Sequence, residues 1–94
     1  VSVGMVAAAH LSAILGRCEP ALVNRLTHLL RRLDLPVQIH GHTAEALYQA
    51  MGTDKKRAAG RLRFVIPEDI GRVVVTDQVT QAQALDALRA IGAT

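Results

Sequence analysis

One cysteine, one tyrosine, one phenylalanine and no tryptophan stand among the 94 residues. The lone Cys18 excludes an internal disulfide and any cysteine-based zinc site. With Tyr48 and Phe64 the only aromatic rings, an interior must be assembled from many small contacts. No Gly-rich loop of the Walker or dinucleotide type occurs, and no Ser-His-Asp spacing can be defended. The longest apolar stretch, Val1 to Leu15, falls short of the about 20 residues that span a bilayer and has no basic segment before it, so neither a membrane helix nor a signal peptide is expected. A strong excess of one charge is also missing. A net +3 permits an anionic partner without calling for nucleic acid.

Half of the chain is hydrophobic, mostly Ala, Leu and Val, enough for one domain with a modest core. The pattern predicts four helices and one β-hairpin, a mainly α fold. The first helix covers Val1 to Leu15 and stops at Gly16. It is apolar on nearly every side, as in a helix central to a larger structure, and the chain is expected to be a fragment of one. The second covers Pro20 to Leu33, with Leu22, Leu26, Leu29, Leu30 and Leu33 on one stripe, and Asp34-Leu35-Pro36 ends it. Thr43 caps a third, Ala44 to Met51. Residues 61–66 alternate, with Leu62, Phe64 and Ile66 on one face. Residues 72–76 form the partner strand, joined through Pro67 to Gly71. Thr80 and Gln83 form a capping box for the last helix, Gln81 to Ile91.

Most chemistry-bearing residues have plain structural explanations. His40 and His42 form a two-histidine pair with no third ligand nearby, and read as exposed loop residues. His10 reads as a buried neutral histidine of an apolar helix, and His28 as solvated among arginines. Cys18 precedes a helix start, where a thiol pKa can fall, but no base accompanies it. Arg31 and Arg32 complement a helix C-terminus. Asp54-Lys55-Lys56 is different, because it lies at the junction of the third helix and the hairpin. A lysine there offers three donors to a carboxylate or phosphate. Asp54 can hold one lysine while the other meets a ligand.

The segments "VSVGMVAAAHLSAILG", "LDLPV", "MGTDKKRAAGRLRFVIPEDIG" and "VVTDQV", in that order, resemble the C-terminal part of the 3-dehydroquinate synthase family. The resemblance covers nearly the whole chain. It implies the helical C-terminal domain of the dehydroquinate synthase-like and glycerol dehydrogenase-like architecture. Residues 1–94 are then a single partial domain without the N-terminal NAD domain, and a His-Gly-Glu tripeptide carrying one zinc ligand is expected just before Val1. The family converts 3-deoxy-D-arabino-heptulosonate 7-phosphate to 3-dehydroquinate with loss of phosphate, using NAD and zinc or another divalent metal. Carried over residue by residue, Lys55 binds substrate, Lys56 supports it and Asp54 positions both. No catalytic, NAD-binding or metal-binding residue of the family falls within this chain, so the fragment alone is expected to bind neither cofactor and to be inactive. A cytoplasmic enzyme acting on a small sugar phosphate, homodimeric at full length, with no nucleic-acid or membrane partner, completes that expectation. Two alternatives stand beside it. A sister sugar-phosphate cyclase would share these motifs. A winged-helix DNA-binding module would share the hairpin after helices, although "TAEALYQAM" carries Glu45 and no Arg or Lys with which to read a groove.

Overall fold

The computed structural model describes residues 2–52, 57–58, 61–62, 64–69 and 71–94. In chain order the elements are α1 (Ser2–Ile14), α2 (Pro20–Arg32), α3 (Ala44–Gly52), β1 (Arg57–Ala58), β2 (Arg61–Leu62), β3 (Phe64–Asp69), β4 (Arg72–Thr76) and α4 (Gln81–Ala90). α1 is the axle. Its first half carries Val6, which packs with Leu30 of α2 and with Ile91. Its second half carries Leu11, which packs with Ile66 of β3 and Ala87 of α4. An all-round apolar helix finds three neighbours inside this chain, yet Met5 and Ile14 remain exposed.

The hairpin departs from the sequence expectation. β3 starts at Phe64, not at residue 61. Arg61–Leu62 instead pairs back on Arg57–Ala58 as a separate two-stranded ribbon. β3 also runs through Pro67 to Asp69, so the connection shrinks from Pro67–Gly71 to residues 70–71. Pro67 is tolerated because its backbone faces away from β4. The Pro67 carbonyl accepts the hydroxyl of the fully buried Ser12 on α1, and N–H and C=O of one strand residue point the same way. A register shift between Pro67 and Asp69 absorbs the bend. Phe64, Ile66 and Val74 face the core, as alternation requires. Val65, Val73 and Val75 occupy the opposite face and are exposed.

The α2 stripe also divides. Leu30 is buried, Leu22 and Leu26 are half-buried, and Leu29 and Leu33 are 54% and 60% exposed. Val23, off the expected stripe, is buried in their place. Only part of the apolar arc meets α1, so periodicity located the stripe but not the side that is covered. Asp34 (φ 59) ends α2 in the left-handed conformation, with Leu35 N–H donating to the Leu30 carbonyl at 2.9 Å.

The remaining caps agree with the sequence. Ala46 N–H donates to Thr43 Oγ1 at 3.1 Å. At α4, Gln83 N–H donates to Thr80 Oγ1 (3.2 Å) and Thr80 N–H donates to Gln83 Oε1 (2.9 Å). Thr80→Ala should therefore lower stability by about 1 kcal/mol in a urea titration, while Thr80→Ser should cost less. Equal loss in both variants would mean that the cap oxygen is not what matters.

Candidate functional site

Asp54, Lys55 and Lys56 lie outside the described residues. What the structure defines is their frame. α3 ends at Gly52 and β1 begins at Arg57, so the three residues fall between these two elements in the sequence. α3 is fixed at its start by the Thr43 cap and by fully buried Ala44, and it packs on α4. The segment leading into it is strapped to the chain terminus. Ile39 N–H donates to the Ile91 carbonyl (2.7 Å), and Thr94 N–H donates to the His42 carbonyl (3.0 Å). Between these two bonds Gly92 adopts φ +112, and a Cβ there would sit 2.3 Å from the Ile39 carbonyl oxygen. On the surface, Glu45 of α3 meets Arg89 of α4 at 3.7 Å, an exposed pair of small energetic weight.

The sequence did not single out Gly92 or Ser12. A glycine after a last helix reads as an ordinary C-terminal stop, and a serine in an apolar helix carries no signal of its long-range partner. Ser12 ties α1 to β3, and Ser2 Oγ donates to the Pro36 carbonyl at 2.5 Å, tying α1 to the segment after α2. Both satisfy carbonyls outside regular ladders, where an unmade bond is costly.

The histidines separate by environment. His40 and His42 are exposed, His42 joining the strap through its carbonyl, and His28 is exposed on α2. Among the described residues no group of three or more His, Cys, Asp or Glu is placed to hold a metal ion. Cys18 is half-buried, with Sγ 3.8 Å from the Ala9 carbonyl. His10 is half-buried in α1, and burial pushes its pKa below the ordinary 6.5. Because the folded state binds the proton less readily than the unfolded one, this residue's contribution is intact above pH 6.5. It is lost as pH falls through the lowered folded value. Melting curves below pH 6.5 should thus decline less for His10→Gln than for the unaltered chain, and parallel declines would assign the acid sensitivity elsewhere.

A groove of about 670 Å³ opens between α1, α2 and the outer face of the hairpin. Met5, Leu22, Leu26, Leu29, Val65 and Val73 supply its apolar lining, and Arg25, His28 and Arg32 stand along its α2 side. The sequence reads His28 as solvated among arginines and Arg32 as a complement to the helix C-terminus. The structure places Arg25 and Arg32 beside unpartnered apolar surface.

No helix of the described residues is long and apolar enough to cross a membrane. The sequence model of the family described as 3-dehydroquinate synthase C-terminal matches residues 1–57. Among curated proteins, the 3-dehydroquinate synthase of Xanthomonas axonopodis pv. citri is 45% identical over 89 residues, covering 94% of this chain and 24% of that protein. That of Nostoc punctiforme is 41% identical over 80 residues, covering 84% and 22%. That of a Synechococcus species is 35% identical over 92 residues, covering 97% and 25%. The chain spans about a quarter of the length of these relatives. A mostly helical chain with an antiparallel hairpin, aligned with these relatives over 84% to 97% of its length and matched by the family model over residues 1–57, belongs to the 3-dehydroquinate synthase C-terminal family.

Proposed function

We propose that these 94 residues are the C-terminal part of a 3-dehydroquinate synthase, the enzyme that cyclises 3-deoxy-D-arabino-heptulosonate 7-phosphate to 3-dehydroquinate with loss of phosphate. The observation that carries this reading is the family match over residues 1–57 together with named relatives aligned along 94% of the chain. Within that enzyme, Lys55 binds an anionic group of the substrate, Lys56 supports it and Asp54 positions them. The chemistry suits the substrate, which bears a carboxylate and a phosphate, since a shielded ammonium makes charge-assisted bonds to either.

NAD and zinc belong to this reading as cofactors of the complete enzyme. The described residues do not fit zinc, because they bring no three ligands together, and no dinucleotide loop occurs in the sequence. Their ligands therefore come from elsewhere in the proposed enzyme, and no step is assigned to them. The complete enzyme is cytoplasmic and homodimeric in this reading, with no nucleic-acid or membrane partner.

The test is an assay of the full gene product with 3-deoxy-D-arabino-heptulosonate 7-phosphate, following release of inorganic phosphate and formation of 3-dehydroquinate. Turnover of that substrate is the expected result. Turnover of a sedoheptulose phosphate instead would assign the chain to a sister cyclase, and inactivity on both would overturn the proposal.

A further inference from the structure

We draw no further inference here: the strongest candidate, the apolar groove between α1, α2 and the outer face of the hairpin, carries nothing, because nothing in the structure shows what covers it and Asp69 lines it together with Arg25 and Arg32, so its charge selects no occupant.

Discussion

Gly92→Ala should lower the stability of the chain by about 3 kcal/mol or more, a fall in Tm of more than about 12 °C for a domain of this size. Two costs combine. Gly92 has φ +112, a conformation that strains any residue with a Cβ by about 1–3 kcal/mol. The added carbon would also sit 2.3 Å from the Ile39 carbonyl oxygen and 3.4 Å from Ile39 N. That obstacle is backbone, not a side chain that can swing aside. Relief requires residue 39 to move, which breaks the Ile39–Ile91 bond at 2.7 Å and loosens the adjacent Thr94–His42 bond at 3.0 Å. Ile39 and Ile91 also belong to one core cluster with Val6 and Leu30, so the strap does not move without disturbing packing. Gly16→Ala is the control. Gly16 has φ +73, and a Cβ added there would meet nothing within 4 Å, so it carries the conformational cost without the clash. Similar melting temperatures for the two variants would remove the close approach at Ile39 as the cause.

Lys55→Ala in the complete enzyme should reduce kcat/KM by about 10- to 100-fold, the equivalent of losing one shielded charge-assisted bond of about 1.5–3 kcal/mol. Lys56→Ala should cost less, in keeping with a supporting role. Thermal melts of both variants should match the parent, because a lysine that serves a ligand adds little to folding stability. The loss should be larger for Lys55→Ala than for Lys55→Arg, which keeps the charge but changes the donor geometry. Undiminished kinetics for Lys55→Ala, or a decline matched by unfolding, would reduce Asp54-Lys55-Lys56 to a solvated turn. This outcome is separate from the substrate assay, because an active dehydroquinate synthase can still be indifferent to Lys55.

Local signals were legible in the sequence wherever one residue and its near neighbours settle the matter. Pro20, the Thr43 cap, the Thr80–Gln83 box and the stop after α2 each depend on contacts within a few residues, and each appears at its expected place. Strand alternation likewise sorted Phe64 and Ile66 from Val65, because a pleated backbone leaves no other choice once one face is buried. The order of motifs carried the family, since each short motif constrains the next by spacing. Tertiary structure decided the rest. Whether Pro67 ends a strand or lies within it depended on Ser12, 55 residues away, whose hydroxyl donates to a carbonyl turned from the ladder. Whether Leu29 is core or groove depended on which arc of α2 meets α1, and an apolar stripe looks the same with or without its cover. Gly92 acquired its constraint only when Ile39 came to lie against it. Sequence periodicity reports what a surface can bury, and only the packing of distant segments determines what it does bury.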